Sequence, residues 1–480
     1  MLIASYQQKM LDTRNAINTI TRNHRNNLER PMSQSSQDIL RSAQVAALRG
    51  TIHVPGDKSI SHRSLILGGL AVGETRISGL LEGTDVLATK DALIALGVEI
   101  EKTKNGDWQV IGVGLNGMIS PAKPLDLGNS GTGVRLLMGV VAGQDITATF
   151  TGDTSLSSRP MARITNPLTS ISASVSSRDG LLPVTITGTA SPLACQHHSK
   201  VASAQIKSAI LLASLNARGT TQITEPHASR DHSESMLRYF GADVQQTTDE
   251  DGRHLISLQG EAVLHGRQIT VPRDPSSAAF ALVAALITPN SDVMIPGIGM
   301  NPLRTGLLDT LIEMGGSIER VNERHEGGEI IADLHVKSSQ LHGIEVPASR
   351  AASMIDEYPI LSVAAAAASG TTDMRGVAEL RVKETDRIKV MAEGLRQCGV
   401  SVAYDDESMQ VTGQATDSKI AGGVTIAAQH DHRIGMSFLT LGMVAAKPIT
   451  VSGCATIETS FPGFAARMSE LGASITDGAA

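Results

Sequence analysis

The octapeptide Gly56-Asp57-Lys58-Ser59-Ile60-Ser61-His62-Arg63 precedes an apolar stretch that runs through Leu70. If that stretch is a helix, Ser59 and Arg63 are four apart and share a face, with Lys58 beside the helix N-terminus. Helix entrances attract anions, so a hydroxyl, a guanidinium and an ammonium can converge there on one phosphate. The spacing is not that of a Walker loop. The bland alternative is solvated charge at a helix start.

Five further runs carry related groups. Leu127-Gly128-Asn129-Ser130-Gly131-Thr132-Gly133-Val134-Arg135 is a glycine-rich loop before an apolar helix, where a ligand can approach backbone closely. Ser158-Arg159-Pro160-Met161 sets an arginine at a break in regular structure, which is equally the sign of a surface charge. Ser203-Ala204-Gln205 before Ile206-Lys207-Ser208, and then Ser229-Arg230-Asp231-His232, offer hydroxyl, amide and guanidinium groups, although helix capping alone would explain Ser203. His430-Asp431-His432-Arg433 opens another apolar helix. Its two histidines are too few for a metal site, so Arg433 is read as an anion binder and His432 as an orienting residue.

Carboxylates enter in two places. Met354-Ile355-Asp356-Glu357-Tyr358-Pro359 sets acids against an Ala-rich, buried helix, where burial is expected to raise a carboxyl pKa toward values useful for proton transfer. Arg381-Val382-Lys383-Glu384-Thr385-Asp386-Arg387-Ile388-Lys389 is charge-dense. A solvated helix face is its ordinary meaning, yet Lys383 and Arg387 share a face with Glu384 beside them.

The elements that must position these groups recur. A helical stretch, a small residue and a short β-type run appear around Gly97, Ser172, Gly241, Gly315, Gly399 and Gly472, at intervals of 75, 69, 74, 84 and 73 residues. Each small residue suits a left-handed helix end, and Ser172 would be strained there. Upstream of each lies a Gly/Ser/Pro loop, an Ala/Leu-rich helix and a Thr/Ile/Val strand. The period exceeds that of solenoid repeats, so six units packed in two groups of three are expected, giving two pseudo-threefold domains of α/β (α+β) class. Nearly every chemical run falls in the loop before its unit's first helix, so these loops should face one cleft. Such a cleft suits two small anionic substrates and proton transfer.

Composition narrows the partners. A net charge of −7 and 2% aromatic residues argue against nucleic acid. Cys195, Cys398 and Cys454 show neither disulfide nor zinc spacing and fit a reducing cytoplasm. No membrane span is expected, the longest apolar candidate being Ile360 to Ala368. Residues 1–47 read as a polar extension appended to the folded units. Its arginines suggest a transit peptide, which Asp12, Glu29 and Asp38 oppose, and Met32 offers an alternative start.

Taken in order from about residue 48 to the end, GDKSISHR, LGNSGTGVR, SAQIKSA, RDH, MIDEYP, RVKETDR and DHR resemble the 5-enolpyruvylshikimate-3-phosphate synthase family. The resemblance implies two domains, each of three βαβαββ units: 48–56 with 271–480 as one, and 57–270 as the other. It implies transfer of the enolpyruvyl group of phosphoenolpyruvate to the 5-hydroxyl of shikimate 3-phosphate, through a tetrahedral intermediate, in a monomer without metal or cofactor. Carried over by motif, Lys58, Ser59, Arg63, Ser203, Ala204, Gln205, Arg230, Asp356 and Lys383 should meet shikimate 3-phosphate. Lys58, Asn129, Gly131, Arg159, Gln205, Arg387 and Arg433 should meet phosphoenolpyruvate. Asp356, Glu384 and Lys58 are the expected catalytic groups.

Glu458-Thr459-Ser460-Phe461-Pro462 departs from the family pattern, in which many members place Lys directly before Thr-Phe-Pro, so one phosphoenolpyruvate contact is expected to be missing. With SSRPM and MIDEYP this resembles the class II branch. Tolerant members of that branch carry Ala where this chain has Gly131, so sensitivity to glyphosate is expected. The rival enolpyruvyl transferase acting on UDP-N-acetylglucosamine uses a loop cysteine, which none of the three cysteines matches. A non-catalytic scaffold of the same fold would need neither Glu384 nor Asp356.

Overall fold

The computed structural model describes residues 38–326, 329–413 and 420–478. It contains six four-stranded sheets of one topology: a parallel pair at one edge, continued by two antiparallel strands. In one, Gln268–Thr270 lies parallel to Val72–Ser78, which pairs antiparallel with Trp108–Val113, and that strand pairs with Glu99–Lys102. All six marker residues, Gly97, Ser172, Gly241, Gly315, Gly399 and Gly472, have φ between 79° and 113°. Ser172 therefore holds a left-handed backbone that glycine would adopt without strain.

The first helix of each unit is buried almost all round, and in each domain three of them form the centre. Lys58–Leu70, Gly131–Ala142 and Ala204–Ala213 make one such group. Pro275–Ile287, Tyr358–Ala367 and His432–Gly442 make the other. Small residues let these helices touch. A Cβ on Gly139 would lie 2.3 Å from the Ala209 carbonyl oxygen, so only glycine allows that approach. Two cores result, one gathering Leu48–Val54 with residues 278–475, the other running from Ile60 to Val271. The chain passes between them twice, and the passages are tied by Asp57 N–H to Pro272 O at 2.8 Å and Asp274 N–H to Pro55 O at 2.9 Å.

The stretch expected to be an appended extension ends in a strand. Ile39–Ala43 pairs antiparallel with Ile449–Ser452 on one side and Ser474–Asp477 on the other. The sixth unit stops at Ser474–Asp477, one strand short of the others, and the N-terminal strand fills the vacant place. Five residues with one arginine and one serine among them gave too short an alternation to stand out from the polar run before it. Residues 1–37, including Met32, lie outside the described residues.

Candidate active site

The helix entrances of both domains face a common cleft. Asp57 caps Lys58–Leu70 by accepting from Ile60 N–H at 2.8 Å, which leaves Lys58 at the mouth in an ion pair with buried Asp85. One turn in, Arg63 is buried. Its Nε donates to Ser233 Oγ at 2.8 Å, its Nη2 to Ser208 Oγ at 2.9 Å and its Nη1 to the Ser59 carbonyl at 3.0 Å. Burial lowers its pKa to about 10, against the opposing pull of Glu234 and Asp57. The Ser59 hydroxyl makes no hydrogen bond among the described residues. Ser203 does not cap its helix with its side chain, so the capping explanation for it falls away. Instead its N–H is held by Glu225 at 2.8 Å, and Glu225 also takes Ser229 and the fully buried Lys207. Ala204 follows at the half-exposed helix start.

The glycine-rich entrance is framed by arginines. Arg159 Nη2 donates to Asn129 Oδ1 at 2.5 Å and Ser155 Oγ at 3.0 Å. Arg135 Nη1 donates to Gln205 Oε1 at 2.7 Å, and Gln205 Nε2 reaches Thr132 at 3.2 Å. A Cβ on Gly131 would stand 3.2 Å from Arg159 Nη1 and 3.3 Å from Arg135 Nη1, so this glycine borders the space between two guanidinium groups.

Across the cleft, Asp356 is ringed by cations. Arg230 of the opposite domain lies 2.9 Å away, Arg387 3.3 Å and Lys383 3.5 Å. Glu384 accepts from Arg387 at 2.5 Å and faces Arg159 of the opposite domain at 3.9 Å. Arg387 is buried and aligned by Asp431 at 2.7 Å, the residue that caps His432–Gly442. Arg433 Nη1 donates to the Asp356 carbonyl at 3.1 Å and to Glu357 at 3.4 Å. Burial, with the charges of Lys58 and Arg433, holds the His432 imidazole well below its usual pKa and keeps the ring neutral.

The expectation that burial raises the catalytic carboxyls fails. Burial is the largest effect on Asp356 and acts upward, but Lys383, Arg230, Arg433 and Arg387 outweigh it and hold the group well below the carboxylate range. Glu384 is lowered in the same way, with the charges of Arg387 and Arg159 overriding burial. The chain's own carboxylates thus pair with the cations of the cleft.

Arg159 meets Glu384 and Arg230 meets Asp356 across this cleft, with Asn129, Gly131, Lys383, Arg387 and Arg433 beside them, whereas Ser59, Arg63, Ser203 and Ala204 make no hydrogen bond or ion pair to the opposite domain among the described residues. Contrary to expectation, Arg159, Arg230 and Lys383 with Glu384 precede the second helix of their units, not the first. Reading the sequence missed several partners that aim them: Asp85 on Lys58, Asp431 on Arg387, Glu357 on Arg433, Glu225 on Ser203, and Arg304 behind Asp57. Asp431 and Glu357 sit inside runs already noted and each precedes a helix, a signal of capping or of charge near a helix start. Asp85, Glu225 and Arg304 have no such mark. Among the described residues no helix is long and apolar enough to cross a membrane, and no group of three or more His, Cys, Asp or Glu side chains could hold a metal.

None of the three cysteine side chains is hydrogen-bonded to Lys58, Asp356 or Glu384 among the described residues. Cys398 and Cys454 are buried, and burial pushes their thiols up to about 11 and about 12, while Cys195 is also raised by burial. None is a thiolate poised for addition to a substrate.

The architecture is that of enolpyruvyl transferases: the enolpyruvyl transferase NikO from Streptomyces tendae superposes with a TM-score of 0.72 over 92% of this chain and 98% of that one, at 17% identity, a likeness of fold alone. An EPSP synthase structure from Acinetobacter baumannii gives a TM-score of 0.80 at 45% identity, covering 91% of this chain and 99% of that one. Curated proteins called 3-phosphoshikimate 1-carboxyvinyltransferase from Parvibaculum lavamentivorans and Rhodospirillum rubrum are 55% and 53% identical, covering 92% and 91% of this chain and 98% of each relative. Residues 42–468 match the family profile EPSP synthase (3-phosphoshikimate 1-carboxyvinyltransferase), and the chain belongs to that family of transferases.

Proposed function

We propose that this chain transfers the enolpyruvyl group of phosphoenolpyruvate to the 5-hydroxyl of shikimate 3-phosphate, with release of phosphate. The observation that carries this reading is the pair of carboxylates, Asp356 and Glu384, set among cations contributed by both domains across one cleft. The domains are read as 48–56 with 271–480, joined by the strand Ile39–Ala43, and 57–270, hinged at the two passages.

Shikimate 3-phosphate is assigned to Lys58, Ser59, Arg63, Ser203, Ala204, Gln205, Arg230, Asp356 and Lys383. Phosphoenolpyruvate is assigned to Lys58, Asn129, Gly131, Arg159, Gln205, Arg387 and Arg433, whose guanidinium forks suit a carboxylate and a phosphate. When both anions enter, the arginines and lysines divide their charge between substrate and protein. The electrostatic hold on Asp356 and Glu384 weakens, while burial continues to favour their neutral forms. Asp356 can then accept the 5-hydroxyl proton as that oxygen bonds to the second carbon of phosphoenolpyruvate. Glu384, with Lys58, delivers a proton to the methylene carbon. Removing that proton again while the phosphate leaves completes the transfer. The enzyme is read as a cytoplasmic, glyphosate-sensitive monomer.

Phosphate release from phosphoenolpyruvate, measured with and without shikimate 3-phosphate, tests the assignment: release only with both present is expected. Glu384→Gln should lower kcat by about 100-fold or more while binding of both substrates persists. Full turnover in that variant would favour the scaffold reading.

A further inference from the structure

One of the six entrances carries no group assigned to a substrate. It belongs to Pro275–Ile287, whose cap Asp274 accepts from Ser276 N–H at 2.9 Å. Asp274 stands on one interdomain passage, and Asp57, the cap of Lys58–Leu70, stands on the other. The paired passages bring these two buried carboxylates together, and the Asp274 carboxyl is raised by burial and then by the charge of Asp57.

Between them lies Arg304, itself 4% exposed. Its Nη1 donates to Asp57 Oδ2 at 3.0 Å, and its Nη2 to Asp274 Oδ1 at 3.0 Å and Ser276 Oγ at 2.9 Å. Nη1 also lies 3.3 Å from His232 Nε2, and His232 Nδ1 lies 3.4 Å from Glu329 Oε1. The chain of contacts thus alternates between domains. Ser276 Oγ in turn donates to Glu357, the carboxylate that receives Arg433.

We propose that Arg304 is a positioning residue for the transfer reaction: one guanidinium clips the caps at both interdomain passages and so fixes the entrance from which Lys58 projects and, through Ser276, the Glu357 carboxylate that receives Arg433. The proposal rests on the functional reading above for its consequence on catalysis, but not for the clip itself. Two carboxylates presented to two nitrogens need a planar fork, and a lysine ammonium could hold only one of them firmly. Without the cation, two buried charges face each other uncompensated and must separate or take up a proton. Either response loosens the passages. A purely structural role would lower thermal stability and leave the kinetics of the folded fraction unchanged.

The test compares full-length Arg304→Gln, Arg304→Lys and Arg304→Gln/Asp274→Asn with the parent chain, using steady-state kinetics and hydrogen exchange followed by mass spectrometry. In Arg304→Gln, kcat/KM for both substrates should fall by about 10- to 100-fold. Amides capped by Asp57 and Asp274 should exchange faster while those of Ala204–Ala213 keep their protection, and Asp274→Asn should restore part of both losses. A folded Arg304→Gln with kcat/KM within about twofold of the parent, or with unchanged exchange at the two caps, overturns the proposal. Should Arg304→Gln fail to fold, Arg304→Lys decides: it keeps the charge and loses the fork, so parental kinetics and exchange in it refute the clip. A parent chain without transferase activity would count against the functional reading alone, because the exchange measurement uses no substrate.

Discussion

Gly83 lies against the opposite domain. Gly83 precedes the helix Thr84–Ala95 that carries Asp85, and a Cβ placed on it would lie 2.4 Å from the Thr459 carbonyl oxygen. Its φ of −77° suits any residue, so Gly83→Ala is free of backbone strain and should leave the domain that contains it folded as before. Ordinary contact begins near 3.4 Å, so the added methyl must hold the two surfaces about 1 Å further apart. Separations such as the 3.9 Å between Arg159 and Glu384 would widen by a similar amount. Displacement of that size at reacting groups costs about 100-fold in rate, so kcat/KM is expected to fall by about 10- to 100-fold with little change in the thermal midpoint. Steady-state kinetics beside a thermal melt measures both. Parental kcat/KM in a normally folded variant would show that the Gly83–Thr459 contact does not set the catalytic geometry.

Gly131→Ala adds a methyl 3.2 Å from Arg159 Nη1, so the glyphosate inhibition constant should rise about tenfold or more, and an unchanged constant removes the steric argument. Asp356 and Glu384 have lowered folded-state pKa values, so their stabilisation is present above the unfolded values near pH 4 and is lost as pH falls through the folded ones. The thermal midpoint should therefore begin to drop near about pH 5 and go on falling below about pH 3, and Asp356→Asn/Glu384→Gln should flatten that slope; an equal slope in the variant refutes the assignment. A chain begun at Met32 keeps Ile39–Ala43 and should match the parent in activity and melting. One begun after Ala43 leaves Ile449–Ser452 and Ser474–Asp477 without their shared partner, and should melt lower and aggregate; an unchanged melt would contradict the pairing.

The repeat was legible because it is written in backbone constraints. A left-handed helix end selects glycine almost regardless of context, and five of the six markers are glycine; the sixth, Ser172, holds the same backbone with φ of 79°. The cleft-facing entrances were legible because a helix start with cations and hydroxyls keeps its groups within a few residues. The closing strand of the sixth unit was hidden because its partners lie more than 400 residues away, and nothing in Ile39–Ala43 announces them. The sign of the carboxyl shifts was hidden for a related reason. Burial of Asp356 could be read from the Ala-rich helix beside it, but Arg230 and Arg433, which help outweigh that burial, arrive from distant segments.

The same distance between sequence and contact explains how similar entrances come to differ in what they hold. Asp57, Ser130, Asp274 and Asp431 all use a side chain to cap their helices, whereas Ser203 does not and Glu357 turns toward Ser276 and Arg433. Where a carboxylate caps, a cation can be aimed by it: Asp431 aligns Arg387 toward Glu384, and Asp57 and Asp274 hold Arg304 at the hinge. Where the cap is missing, the hydroxyl of Ser203 stays free of its helix end, which supports its proposed assignment to shikimate 3-phosphate. The division of labour therefore follows from which entrances satisfy their own helix ends. Placing a capping aspartate at Ser203 would set a negative charge where the phosphate of shikimate 3-phosphate is assigned, and should raise the KM for that substrate far more than the KM for phosphoenolpyruvate.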